Sequence, residues 1–156
     1  MESRFAKPED IPGIVHLLRQ VGQVHHAIRP DLVREGALKC DAPALEKMLS
    51  DPEQPIFVAV EEGAVLGYAI CILQQVRNNP VLQDRKELFL SDLCVEELYR
   101  GQGIAGPLFA YVKEFAREQG CQALTLNVWC GNDRAIRFYE KCGLTPQKIR
   151  METILC

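Results

Sequence analysis

The chain has 156 residues, about one domain's worth, and its 47% hydrophobic and 25% charged residues exclude a disordered or fibrous polymer. Eighteen basic against 21 acidic residues leave a net charge of −3, which argues against a nucleic-acid partner and against bulk attraction to an anionic membrane. Seven cysteines without a single CxxC pair exclude both a zinc framework and a disulfide scaffold. Read as reduced and mostly buried, with no apolar leader after Met1 and no stretch of membrane-span length, they point to a cytoplasmic protein of one domain, residues 1–156.

Ser3 to Ala6 reads as a short strand, and Lys7-Pro8-Glu9-Asp10 as a helix entry. Ile11, Ile14, Val15, Leu18 and Val21 then repeat on one face of an amphipathic helix. The pattern weakens from Gly22 to Lys39, where His25, His26, Arg29, Pro30 and Asp31 suggest a polar loop or a broken helix. Asp41 can cap a short helix that buries Leu45, Met48 and Leu49. Residues 55–61 and 65–76 read as strands joined by a hairpin at Glu62-Gly63. A loop around Asn78-Asn79-Pro80 leads to a strand from Glu87 to Val95.

The last third alternates. A helix with Ile104, Leu108, Tyr111, Val112 and Phe115 on its apolar stripe ends at Gly120, and residues 121–129 read as a strand. A second stripe, Ala135, Phe138, Tyr139 and Cys142, ends at Gly143, and residues 149–155 read as a final strand. A meander followed by strand–helix–strand crossovers predicts an α+β fold, with a single mixed sheet flanked by helices on both faces.

The chemistry concentrates where the strand ending at Val95 meets Arg100-Gly101-Gln102-Gly103-Ile104-Ala105-Gly106 and a helix begins. A glycine-rich turn at a helix start leaves backbone N–H groups unpaired, and with the helix dipole these suit phosphate oxygens. The P-loop pattern is absent. The dinucleotide pattern GxGxxG is met literally from Gly101 to Gly106, but an antiparallel meander precedes the turn. The following strand also lacks the acidic residue that would hold a ribose, so the dinucleotide reading is set aside.

Arg100-x-x-Gly103-x-Ala105 resembles the acetyl-CoA pyrophosphate signature of the GNAT superfamily of N-acetyltransferases. Asn132-x-x-Ala135-x-x-Phe138-Tyr139-x-x-x-Gly143-Leu144 resembles that family's second motif, and the two stand one helix and one strand apart, in order. The resemblance covers nearly the whole chain. It implies a centrally splayed sheet and transfer of an acetyl group from acetyl-CoA to a primary amine by direct attack in a ternary complex; no histidines or carboxylates stand at metal-ligand spacing, so no metal is expected.

By the same resemblance, Leu93, Cys94 and Val95 would bind the pantetheine arm and acetyl group, with the Val95 N–H as oxyanion donor. Residues Arg100 to Gly106 would hold the pyrophosphate, Asn132 would contact the pantetheine, and Tyr139 would protonate the departing thiolate. Each has a plainer reading: Tyr139 as a core tyrosine, Asn132 as a helix cap, Arg100 as a solvated side chain, Cys94 as a small buried hydrophobe. For the general base, Glu87 resembles the glutamate of the histone-acetylating branch and ranks ahead of Asp92, which resembles the acidic residue of small-amine members. Strand alternation sets the two on opposite faces, Glu87 alongside Ser91, Leu93 and Val95. The ribosomal-protein branch uses a glutamate where this chain has Asn127.

His25, His26 and Arg29 are candidates to line the acceptor pocket. The acceptor is expected to be a small-molecule amine, with a protein N-terminus or lysine, or a catalytically idle acyl-CoA sensor, as alternatives. An exposed edge strand near Ile149–Leu155 offers a contact for a homodimer.

Overall fold

The computed structural model describes residues 1–156. Its elements in order are β1 (Glu2–Phe5), α1 (Ile11–Ile28), α2 (Ala42–Leu49), β2 (Ile56–Glu61), β3 (Ala64–Val76), β4 (Arg85–Val95), α3 (Ala105–Glu118), β5 (Ala123–Leu126) and α4 (Asp133–Lys141). The strands form one sheet in sequential order. The pairs from β1 to β4 are antiparallel, and β4 with β5 is parallel because α3 crosses between them. At the β2–β3 hairpin Glu62 and Gly63 both take positive φ, 51° and 79°, as a two-residue turn matching the strand twist requires.

Two apolar clusters lie on opposite faces of this sheet. One packs α3 against Phe57, Ala69, Leu88 and Leu90, with Phe138 and Tyr139 of α4 at its margin. The other packs α1 and Leu45 of α2 against Val58, Tyr68, Ile70 and Cys94. Each buried leucine or isoleucine here is worth roughly 1.5–3 kcal/mol against an exposed one, so the helices are held by their stripes more than by propensity.

Helix α1 continues to Ile28, through the segment whose pattern weakens. Its last turns are covered by the 30–39 segment. A Cβ on Gly22 would stand 2.3 Å from the Ala37 carbonyl oxygen, so only glycine admits this approach. His26 Nδ1 lies 2.7 Å from the Val33 carbonyl oxygen and ties down the same loop. Tertiary contact sustains the helix where apolar periodicity does not.

Strand β4 carries a bulge that overturns the expected alternation. Leu90 stands opposite Cys71 and Asp92 opposite Ile70, leaving Ser91 without a partner on β3. One extra residue reverses the facing of everything after it. Before the bulge Leu88 and Leu90 enter the α3-side core; after it Val95 does so, with Leu93 at its margin, while Cys94 joins the α1-side core. Asp92 therefore shares the α1 face with Glu87, not the opposite one, and Glu87 no longer shares a face with Leu93 and Val95.

The sheet opens at the same place. Pairing between β4 and β5 ends at Leu90 with Leu126, so Ser91 to Val95 have β3 on one side and no strand on the other. Strand β5 stops three residues short of the expected Trp129. The expected final strand is not formed: no residue from Thr145 to Cys156 pairs with the sheet, and Ile149, Met151 and Leu155 are exposed. The physical reason is that strand propensity yields a strand only where a partner offers its hydrogen bonds.

Candidate active site

The opening beyond Leu90 is lined by the bulged end of β4. Glu96 donates its N–H to Leu66 of β3 at 2.7 Å, so by strand alternation Leu93 and Val95 turn their backbone groups away from β3, into the opening. The Val95 carbonyl accepts from Arg100 Nε at 3.4 Å, and the half-buried Arg100 thereby ties the glycine-rich turn to the end of β4.

That turn has the form an anion site needs. Gly101 and Gly103 take φ of 81° and 75°, the left-handed region that favours glycine. A Cβ on either, or on Gly106, would meet nothing within 4 Å, so the surface here is open. Gln102 donates its N–H to Tyr99 and Leu108 donates to Ile104, but the N–H groups of Gly101, Gly103, Ile104, Ala105 and Gly106 have no acceptor within the chain. They lie at the start of α3, where the helix dipole is positive.

On the α1 face of the opening stands Asp92. Its Oδ2 accepts the Tyr68 hydroxyl at 2.8 Å, and Tyr68 is fully buried. Lys39 Nζ donates to the Ser91 carbonyl at 3.0 Å and to Ser91 Oγ at 2.6 Å, beside the aspartate. Burial pushes the Asp92 carboxyl above its ordinary value; Lys39, the Tyr68 hydroxyl and His25 pull it back only in part. Sequence reasoning missed Tyr68, Lys39 and the bulging Ser91. Neither a tyrosine inside an apolar strand nor a lysine in a loop signals a catalytic neighbourhood.

From the α3 side Tyr139 enters. Helix α4 is started by Asn132, whose side-chain oxygen accepts the Ala135 N–H at 3.3 Å, so the capping role of Asn132 is realised. The Tyr139 ring packs 5.3 Å from Phe138 and 6.1 Å from Phe109, centroid to centroid. Its hydroxyl has no hydrogen-bond partner in the chain. Burial, and then the charge of Asp92, raise its pKa well above that of a free phenol, which keeps it a neutral donor. The buried Cys94 thiol is pushed up to about 12 by burial and by Asp92, so it is no nucleophile at neutral pH.

The remaining sequence candidates lie apart from this centre or are engaged elsewhere. Glu87 forms an ion pair with Arg85 at 2.9 Å and accepts the Thr125 hydroxyl at 3.3 Å, where β4 and β5 are still paired. Eight residues of strand, roughly 26 Å at about 3.3 Å each, separate it from Val95. His25 is half-buried in the last turns of α1 and bears electrostatically on Asp92. His26 holds its own loop, and Arg29 pairs with Asp31 and with Glu152 of the tail.

No group of three or more metal-ligating side chains is present, and no helix is long and apolar enough to cross a membrane.

A model of the Acetyltransferase (GNAT) family matches residues 22–144. The uncharacterized N-acetyltransferase YdgE of Bacillus subtilis is 36% identical over 75 residues, 48% of each chain, so this chain spans about half the length of that relative. The thialysine N-epsilon-acetyltransferase of Bos taurus is 27% identical over 148 residues, 90% of this chain and 81% of that one. Among solved structures, a mutant of the BH1408 protein of Bacillus halodurans is 30% identical, with a TM-score of 0.95 over 100% of both chains. The aminoglycoside N-acetyltransferase AAC(6')-Iy in complex with CoA shares the fold, at 16% identity and a TM-score of 0.72 over 99% of this chain and 100% of that one.

Proposed function

Because this chain belongs to the GNAT family of acetyltransferases, we propose that it transfers an acetyl group from acetyl-CoA to a small primary amine, by direct attack, with Asp92 as general base and Tyr139 as general acid. One observation carries the reading. The opened end of β4 has an aspartate of raised pKa on one face and an unpartnered, neutral phenol on the other.

The residues fit the donor. Five N–H groups of the 101–106 turn lack acceptors and suit a pyrophosphate, and the backbone of Leu93 and Val95 suits the amides of a pantetheine arm. Bound acetyl-CoA supplies the activated acyl carbon and a thiolate leaving group. The Val95 N–H donates to the carbonyl oxygen as negative charge gathers there; as a fixed dipole it needs no reorganisation. Asp92 takes the proton from the attacking amine. A raised pKa makes it a stronger base than a solvated aspartate, while Lys39 nearby favours its charged form. Tyr139 gives its hydroxyl proton to the departing sulfur. The high pKa of Cys94 speaks against an acyl-cysteine route.

Asp92 takes precedence over Glu87 as base. Glu87 is occupied by Arg85 and Thr125, and it sits where the sheet is closed. The small-amine class rests on likeness to an enzyme named for thialysine and on the setting of Asp92, which accepts from Tyr68 and has Lys39 bonded to the adjacent Ser91. His25 belongs to this acceptor side; His26 and Arg29 would border it while holding the loop and the tail.

The test is release of free CoA thiol from acetyl-CoA with a panel of lysine analogues, polyamines, aminoglycosides and lysine peptides. Turnover with a small alkyl amine and none with the peptides is the expected result. Peptide-only turnover would overturn the acceptor class, and silence with tight acetyl-CoA binding would overturn catalysis by this site.

A further inference from the structure

The glycine-rich turn does not fix its own position. The N–H groups of Gly101, Gly103, Ile104, Ala105 and Gly106 have no acceptor within the chain, and a turn that keeps its donors free for an anion forgoes the bonds that would hold it. Its place is therefore set at its ends. On the far side stands α3, anchored by Ile104 and Leu108 in the core. On the near side stand Glu96 and Glu97, from which a relay of backbone bonds runs into the turn. Tyr99 donates to the Glu96 carbonyl at 2.9 Å, Arg100 to that of Glu97 at 3.3 Å, and Gln102 to that of Tyr99 at 3.2 Å.

Glu96 and Glu97 are held in their turn by one side chain from another layer. Gln20, on α1, donates its amide to both carboxylate oxygens of Glu96, at 3.0 Å each, and its Oε1 accepts the Glu97 N–H at 3.1 Å. Helix α1 is a firm base for this joint, since Ile14, Leu17 and Leu18 on its inner face are buried. A glutamine suits the position because its amide carries both a donor and an acceptor. A lysine there could not accept the Glu97 N–H, and a glutamate could not donate to Glu96. His16, one turn earlier on α1, brings Nε2 within 3.3 Å of Glu96 Oε2, but its side chain is 65% exposed, so Gln20 is the main support. The Glu96 carboxylate pairs with no lysine or arginine. So close in the chain to an anion site, it gives the ligand nothing by its charge; what it supplies is a joint to α1.

We propose that Gln20 is a positioning residue for the pyrophosphate of acetyl-CoA: by clamping Glu96 and Glu97 to α1, it holds the 101–106 turn and its free N–H groups where the phosphates bind. A turn held in place beforehand costs less to order when the ligand arrives. Gln20 thus acts on binding of the donor and not on the chemical step. This role rests on the reading of the turn as the donor site and asks nothing of Asp92 or Tyr139.

Calorimetry with acetyl-CoA, alongside steady-state kinetics and melting temperature, is the test. Gln20→Glu keeps the size of the side chain and its acceptor for Glu97 but sets two carboxylates face to face. It should raise Kd and KM for acetyl-CoA about 10-fold, on the scale of a lost hydrogen bond or two, with kcat little changed. Adding Glu96→Gln exchanges donor and acceptor across the joint and should bring both constants back. A variant that melts earlier yet binds acetyl-CoA like the wild type would reduce Gln20 to a structural contact and overturn the role, as would a raised Kd that Glu96→Gln does not relieve. Gly103→Val probes the turn itself. If it leaves Kd unchanged, or if the wild type does not bind acetyl-CoA, the donor reading fails and this role with it. If Gly103→Val weakens binding and Gln20→Glu does not, only this role falls. Should the Gln20 variant not fold, hydrogen exchange of the wild type decides: the Glu97 amide is expected to be protected without ligand, and free exchange there overturns the clamp.

Discussion

Asp10, at the entry to α1, and Asp92, beside the bulge of β4, are both aspartates drawn out of water in the α1 layer, and they differ in their partners. Asp10 accepts two bonds from the Arg4 guanidinium, at 2.7 and 3.1 Å, and one from the Lys7 N–H at 2.8 Å. Burial pushes its pKa up, but the bonds from Arg4 and Lys7 together outweigh this and hold it below the ordinary value. For Asp92 burial wins. Its close hydrogen bond comes from a neutral hydroxyl, and the nearest cation, Lys39, spends its own bonds on Ser91. A carboxylate whose lone pairs are met by a bidentate cation is a structural joint. One held by neutral donors keeps basicity to spend on a proton.

Paired substitutions should pull these roles apart. The largest effect expected is in turnover: Asp92→Asn should lower kcat about 10²- to 10⁴-fold, the range for removing a general base, with acetyl-CoA binding unchanged by calorimetry. The same variant should erase the acid limb of the kcat/KM–pH profile, whose midpoint in the wild type should lie above the ordinary 3.8. Tyr139→Phe should cost about 10- to 10²-fold in kcat, again with acetyl-CoA bound normally. Unchanged turnover would return Tyr139 to the core.

Asp10→Asn should do the reverse of Asp92→Asn. It leaves Arg4 without its anion and should cost about 2–3 kcal/mol of stability in denaturant titration, while kcat per folded molecule holds.

The pH dependence of stability separates the two carboxylates by sign. The Asp10 contribution is fully present above 3.8, the unfolded value, and is lost as pH falls through the lower folded value. The Asp92 carboxyl, raised in the folded state, is no penalty below 3.8; its cost grows as pH rises toward the folded value. Asp92→Asn should therefore be as stable as the wild type, or more so, at neutral pH, with melting temperature against pH as the readout. The smallest effect lies outside this pair. Gly103→Val strains a backbone at φ 75° and narrows the turn, so the KM for acetyl-CoA should rise several-fold with kcat little changed.

Much of this arrangement was legible in the sequence because it rests on local rules. Period-3.6 stripes marked α3 and α4, β-branched runs marked β2 and β3, and the Arg100 to Gly106 turn announced itself through glycines, two of which take positive φ. Asn132 read as a cap and is one. What could not be read depends on chain segments meeting. The second half of α1 is secured by a loop crossing Gly22, so no apolar periodicity records it.

Ser91 is the sharpest case. No residue type in Leu90-Ser91-Asp92 marks a bulge, yet that one unpaired residue moves Asp92 from the α3 face to the α1 face. It also reverses the ranking of the two carboxylates proposed as base. Side-chain pattern along the chain specified most of the elements, their order and the glycine-rich turn ahead of α3. The facing of Asp92, its bond from Tyr68, the contact of Lys39 with Ser91, and the fate of the 149–155 tail were decided only by register and by which edges find partners. Those are properties of pairs of segments, and a single segment does not carry them.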